Sequence, residues 1–200
     1  GPIHMTKPYI LILYFSQSGS TKDLALHMAR GVDRVAGINA KLRTVAPVDS
    51  VTDQVLPKVP AEGAVYCTKS ELSNCAGLLL GSATRFGNMA APLKHFLDNT
   101  ADLWMNRALV NKPAGVFTSS HSLHGGEETT LMSMMVPLLH HGMIIKGLSY
   151  AEDALNQTRT GGTPYGASHV AATGAQLSEH EAQLALIQGE QLAKLALKLL

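Results

Sequence analysis

The sequence predicts an α/β fold in which a parallel sheet lies between two layers of helices, with right-handed crossovers joining the strands. Three observations carry that reading. Apolar runs of strand length alternate with segments of helical period. The runs at Tyr9 to Phe15, Ala76 to Gly81 and Ala114 to Phe117 each end in a turn rich in hydroxyl residues and glycine. A chain of 200 residues with 46% hydrophobic composition can bury one sizeable core and is too short for two. Gly1 to Met5 reads as a cloning remnant, and residues 6–200 read as one domain.

The first strand lies in Tyr9 to Thr21 (YILILYFSQSGST) and feeds a loop and then, at once, a helix. Leu24, Met28, Val32 and Val35, with Ala25, Ala29 and Ala36 beside them, give that helix one apolar face, and Gly37 stops it. Ala40 to Val45 reads as a second strand. Ala46 to Gly63, with three prolines and four valines but little period, reads as a long surface connection. Ala76 to Gly81 is continuously apolar and so predicts a strand buried on both faces. A helix over roughly Met89 to Leu97 carries Pro92 in its first turn and Leu93, Phe96 and Leu97 on its inward face. Ala114 to Phe117 is the fourth strand. The next helix starts near Glu127 and ends before Gly142, and Pro137 is expected to kink or restart it. Met143 to Ile145 is a short fifth strand. Lys146 to Gln176, rich in glycine and threonine, is too long for a simple connection. Ser178 and Glu181 form a capping box for a final helix striped by Leu184, Ile187, Leu192, Leu195 and Leu199.

Five such strands suggest a flavodoxin-like three-layer sandwich with a five-stranded parallel sheet of order 2-1-3-4-5. In that order ligands sit beyond the carboxyl ends of the strands, where the order reverses between strands one and three. Three polar turns would converge there: Ser16 to Thr21, Ser82 to Asn88, and Thr118 to Gly126. In the first, Ser16, Gln17, Ser18, Gly19, Ser20 and Thr21 set hydroxyls and backbone N–H groups at the positive end of a helix, a means of holding phosphate without lysine. An ordinary strand-to-helix turn capped by serine or threonine accounts for the same residues. Neither G-x-G-x-x-G after the first strand nor G-x-x-x-x-G-K-[ST] is present, which disfavours dinucleotides and nucleoside triphosphates and favours a monophosphate. Ser16, Gln17 and Ser82 stand where a phosphorylated receiver domain needs acidic residues to hold magnesium. The second turn, with Thr84, Arg85, Phe86, Gly87 and Asn88, offers an aromatic ring, a guanidinium and exposed N–H groups to a flat ligand. Alternatively Phe86 is a satellite of the core and Arg85 is solvated.

The formal net charge is +1 and no two basic residues are adjacent, so no electrostatic footprint for nucleic acid or anionic lipid is visible. Cys67 and Cys75 fit neither a zinc knuckle nor a disulfide framework, which suits a reduced, cytoplasmic protein. No apolar stretch approaches a membrane span, so no membrane insertion is expected. His121, His124, His140 and His141 lack a cysteine or carboxylate that would complete a metal-ligand set, and no metal is expected.

Four stretches taken in order, LYFSQSGST (Leu13 to Thr21), GSATRFGNM (Gly81 to Met89), HHGM (His140 to Met143) and GGTPYGASH (Gly161 to His169), resemble the Trp-repressor-binding-protein (WrbA) family. The resemblance runs from Tyr9 to the final helix. It implies an FMN-dependent NAD(P)H:quinone oxidoreductase that reduces quinones to hydroquinones by a two-electron ping-pong route, with the hydride chemistry on the cofactor. It places Ser16 to Thr21 around the FMN phosphate, and Thr84, Arg85 and Phe86, with Gly87 and Asn88, along the flavin ring. Ser119, Ser120, His121, Ser122, Leu123 and His124 would form the third FMN loop, His141 would lie near the flavin and could assist, and Trp104 would line the substrate side. A homotetramer with sites built from more than one chain is implied as well. Ser18 stands where some members carry an aromatic residue that meets the nicotinamide, and Ala83 replaces a common proline. The third loop, HSLHGG, is less glycine-rich than the commonest version. A single-electron carrier of the flavodoxin kind would present a strongly acidic docking surface, whereas this chain is near neutral, and the sequence has neither the basic stripe nor the isolated amphipathic segment that a repressor-binding accessory protein would call for.

Overall fold

The computed structural model describes residues 6–17, 19–48 and 63–200. Ser18, Gly1 to Met5 and most of the Ala46 to Gly63 stretch lie outside the described residues. In chain order the strands are β1 (Tyr9–Phe15), β2 (Asn39–Arg43), β3 (Gly77–Arg85), β4 (Asn88–Met89), β5 (Pro113–Ser120), β6 (Ile144–Ile145) and β7 (Ser168–Val170). The helices are α1 (Ser20–Asp33), α2 (Lys69–Ser73), α3 (Ala91–Asp98), α4 (Ala101–Met105), α5 (Glu127–His140), α6 (Asp153–Gln157) and α7 (Glu179–Leu199).

The main path of the sheet is β2-β1-β3-β5-β6, all parallel, which is the expected order with β5 and β6 as its fourth and fifth strands. β4 folds back antiparallel on the end of β3, and β7 lies parallel beside the far end of β5. Side chains of a strand point alternately to opposite faces, so a continuous apolar run needs cover on both sides. β1 shows this directly. Ile10, Ile12 and Tyr14 join a core with α1 and α7, while Leu11, Leu13 and Phe15 join a second core with Leu93 of α3 and Leu131, Met134 and Leu138 of α5. α1 and α7 meet backbone to backbone. A Cβ on Gly31 would fall 2.0 Å from the Leu186 carbonyl oxygen, and one on Gly189 would fall 2.1 Å from that of Met28, so only glycine permits this approach.

Several local expectations are corrected. β3 and β5 outlast their apolar runs and extend through Arg85 and Ser120, so Ser82 to Arg85 and Thr118 to Ser120 are strand rather than turn. Sheet pairing on both sides overrides the polar composition there. Met89 belongs to β4, and the helix begins at Ala91. α5 runs through Pro137 to His140 as a single helix. Lys146 to Gln176 holds α6 and β7, elements too short for a periodic signal. The fifth strand is therefore split: β6 pairs with Pro113 and Ala114, and β7 with Thr118 to Ser120. Gln188 of α7 bridges the gap, donating from Nε2 to the Val116 carbonyl at 3.1 Å and accepting from the Ala167 N–H at 2.8 Å. Leu197, on the side of α7 away from the predicted stripe, packs against the core, whereas Leu199 of the stripe is exposed.

Candidate functional site

Phe15 of β1 pairs with Ser82 of β3, and Ser82 with Thr118 of β5, so the three predicted turns leave one edge of the sheet side by side. Hydroxyl groups fasten them together. Thr21 Oγ1 at the start of α1 lies 2.7 Å from Ser119 Oγ at the end of β5. Thr118 Oγ1 donates to the Ser82 carbonyl at 2.7 Å, which leaves it to accept from Thr84 Oγ1 at 3.1 Å. Arg85 Nη2 reaches Gln17 Oε1 at 3.4 Å, tying the second loop to the first. All of these residues but Ser18 can therefore be placed, and the three loops do come together.

Among the described residues no side chain caps the first turn of α1. The N-cap of α1 is Gly19 at φ +91°, which has no side chain, and Ser16 Oγ instead accepts from the Gly19 N–H at 3.0 Å. The first intrahelical bond runs from Asp23 N to Gly19 O, so the N–H groups before it face the loop, next to the buried hydroxyls of Ser20 and Thr21. A cavity of about 310 Å3 flanks this turn, lined by Tyr14, Ser16, Gln17, Gly19, Lys22 and Thr44 among others.

In the second loop Phe86 and Gly87 both have positive φ, 51° and 75°, and turn β3 into β4. The Phe86 ring is fully exposed, so it is no satellite of the core. Asn88 is exposed beside it. In the third loop Ser119 and Ser120 are buried, while His121, Ser122, Leu123 and His124 form an exposed tip. The His121 carbonyl accepts from the Ala172 N–H at 2.8 Å. The second and third loops touch, since a Cβ on Gly126 would lie 3.0 Å from Gly87 Cα.

Beneath the third loop is a buried polar layer. Glu127, the first residue of α5, is only 3% exposed, and burial pushes its carboxyl up to about 7 against the hydrogen bonds of Ser120 and Ser168. On β7, His169 Nδ1 lies 2.9 Å from Glu181 Oε1. Burial alone would raise Glu181, but His169 and the N–H groups of Ser178, Val170 and Gly161 outweigh it and hold the carboxyl at about 2. The same hydrogen bond to Glu181 raises His169 above its ordinary value. The sequence marked Glu181 as a capping-box residue, which it is, and singled out GGTPYGASH. Nothing in the spacing revealed that Glu181 also anchors that motif.

His141 and Trp104 lie elsewhere. α5 starts beside the loops and runs back along the sheet for 14 residues, about 21 Å, before reaching His141. α3 and α4 return Trp104 to the same far edge, where its Nε1 donates to the His140 carbonyl at 3.0 Å. Within a single chain His141 is therefore at the opposite edge from the three loops. The H-x-x-H pair and the H-H pair are likewise separated along α5. Thr100 Oγ1 donates to the Leu97 carbonyl at 2.6 Å and so accepts from His141 Nε2 at 3.0 Å, fixing the neutral tautomer with the hydrogen on Nε2. Burial, then His140, lowers the His141 pKa, and among the described residues its Nδ1 has no partner. A cavity of about 430 Å3 opens here between Leu97, Thr100, Trp104, Pro137 and His141.

The sheet order and the three loops at its reversal point define a flavodoxin-like α/β protein. The profile of the NADPH-dependent FMN reductases matches residues 8–156, and the chain belongs to that family. It is 40% identical over 202 residues to an NAD(P)H dehydrogenase (quinone) of Solidesulfovibrio magneticus, covering 95% of this chain and 98% of the relative. It is 41% identical over 196 residues to an NAD(P)H dehydrogenase (quinone) of Chromohalobacter salexigens, with the same coverage. Among solved structures, the flavodoxin, WrbA-like protein from Agrobacterium tumefaciens superposes with a TM-score of 0.68 at 19% identity, covering 98% of this chain and all of that one. Flavodoxin 1 from Bacillus cereus superposes with a TM-score of 0.60 at 16% identity over 93% of this chain and 97% of its own. These two likenesses concern the fold. Among the described residues no helix is long and apolar enough to cross a membrane.

Proposed function

We propose that the chain is an FMN-dependent NAD(P)H:quinone oxidoreductase that works as one unit over residues 6–200. The observation that carries this reading is the set of three loops at the order reversal, joined through Thr21–Ser119, Thr118–Thr84 and Arg85–Gln17. The donor set suits a phosphate monoester: uncapped N–H groups at the start of α1, with the hydroxyls of Ser16, Ser20 and Thr21 beside them. Ser16 to Thr21, Ser18 included, would hold the phosphate of FMN. Thr84 to Asn88 and Ser119 to His124 would border the ring. When bound, FMN supplies hydride transfer between NAD(P)H and the quinone. The loops orient it, and the exposed Phe86 ring offers apolar cover to a flat partner. NAD(P)H as reductant accords with a cytoplasmic protein.

Trp104 and His141 cannot reach these loops within one chain, so their part in the site belongs to an assembly, which we take to be a homotetramer. Met132, Val136 and Leu139 support this reading, being exposed at i, i+4 and i+7 on α5 next to the exposed Trp104 and Met105. The fold and the cofactor are tested together by adding FMN to purified protein, then anaerobic NADH or NADPH, then benzoquinone. A bound flavin spectrum that bleaches and recovers is expected, with FAD bound far more weakly than FMN. Equal affinity for both flavins, or no bleaching by either nicotinamide, overturns the proposal.

A further inference from the structure

We propose that Glu127 is held as a neutral acid whose proton bonds to Ser120, and that this bond keeps the Ser119 to His124 loop in the shape that receives FMN. The inference rests on the cofactor reading above. Its basis is a count of hydrogens. Ser120 Oγ has one, yet it lies 2.8 Å from the Ser122 carbonyl oxygen and 2.9 Å from Glu127 Oε1. The Ser122 carbonyl can only accept, so both contacts are full hydrogen bonds at once only if Glu127 brings a proton of its own. With the carboxyl ionised, the one Ser120 hydrogen must serve two acceptors, and one of the two contacts is weakened or lost.

The surroundings agree. Among the described residues no lysine or arginine pairs with Glu127. The charged groups that face it are Glu128 on α5, Glu181 on α7 and His169 on β7, of which the two glutamates oppose its ionisation. His169 favours the anion while it carries a proton, so its own deprotonation delays the ionisation of Glu127 as pH rises, and the hydrogen bond from Ser168 favours the anion at every pH without outweighing burial. His121 and His124 at the loop tip are exposed. The start of α5 would itself favour an anion, so a neutral Glu127 leaves that positive helix end uncompensated beneath a loop meant for an anionic ligand.

Glu127 is a positioning residue, since it acts through Ser120. Once it ionises, the Ser120 hydroxyl turns to the carboxylate and the Ser122 carbonyl loses one of its two donors. Among the described residues the tip then keeps the backbone bonds from the Ala172 N–H to the His121 carbonyl and from the Gly125 N–H to the Ser122 carbonyl. The substitution Glu127→Gln supplies an N–H donor to Ser120 at every pH, so it is the form that should not switch. FMN affinity measured from about pH 6 to about pH 8.5 should weaken about fivefold more in the wild type than in E127Q, the loss of one hydrogen bond. Because both proteins share the titration of the FMN phosphate, the difference belongs to Glu127.

A second readout needs no ligand. The infrared carbonyl stretch of a protonated buried carboxyl should be present in the apoprotein near pH 6, fade by about pH 8.5 and be missing from E127Q, while amide protection at 121–125, taken relative to the intrinsic base-catalysed rate, falls over the same range in the wild type alone. Absence of that band near pH 6, or a wild-type affinity profile parallel to that of E127Q, overturns the inference. Failure of FMN to bind either protein at any pH overturns the cofactor reading and the ligand half of the inference. The band and the exchange rates still decide where the proton sits.

Discussion

Glu181 and Glu127 are buried carboxyls that share one polar layer and respond to pH in opposite senses. Glu181 accepts from His169 and from three backbone N–H groups, and its folded value of about 2 lies below the ordinary 4.5. A depressed carboxyl stabilises the fold above its unfolded value, so this contribution is complete above pH 4.5 and is lost as pH falls toward 2. Glu127 is raised to about 7, so the unfolded chain releases its proton first and stability declines as pH rises from 4.5 through 7. His169 is raised, so its contribution is full below its unfolded value of 6.5 and is lost as pH rises through the folded one. Urea unfolding should therefore show greatest stability in mildly acid solution, with a decline of about 3 kcal/mol toward pH 8 assignable to Glu127. E127Q should flatten that part of the curve. An alkaline limb as steep in E127Q as in the wild type would place the proton elsewhere.

At the scale of elements, the split between β6 and β7 leaves the middle of β5 without a ladder partner on that side, and Gln188 fills the place. Replacing Gln188 by leucine keeps much of the volume but strands the Val116 carbonyl and the Ala167 N–H in the core. The expected cost is about 3 kcal/mol, read as a drop in Tm of several degrees, about 6–10 °C. A change within about 0.5 kcal/mol would show that water replaces the amide. The same region marks what the sequence could tell. Long apolar runs such as Leu78 to Leu80 and the heptad-like face of Leu24, Met28 and Val32 are legible because burial on one face writes a period into the chain. β7 is three residues long and α6 five, too short to hold a period, and both owe their form to β5 and α7. Of the site, the three hydroxyl-rich loops were legible as composition at strand ends. Glu127 was read only as a helix start, because the contact that matters, with Ser120, is a matter of one hydrogen and two acceptors rather than of spacing.

For the whole molecule, the separation of Trp104 and His141 from the loops turns the oligomer into a chemical question. Changing Trp104 to alanine removes a half-exposed ring whose one side-chain hydrogen bond among the described residues is to the His140 carbonyl, so the monomer's fold and FMN affinity should stay within about twofold of the wild type. Quinone turnover should fall by about tenfold or more if a neighbour's site uses that ring, and closed symmetry applies the loss to every subunit at once. Sedimentation with and without FMN gives the companion measurement. A monomeric holoprotein with full turnover at micromolar concentration would refute the shared site. α5 sets the distance in question, because its first residue holds the third loop and its last turn carries His140 and His141. The helix is in effect a spacer whose length is a specification: inserting one residue would advance its far end by about 1.5 Å and rotate it by about 100°. Evolution can vary the exposed residues of this helix other than Met132, Val136 and Leu139, but deletions and insertions within it should be rare, because each would throw two separate places on the molecule out of alignment.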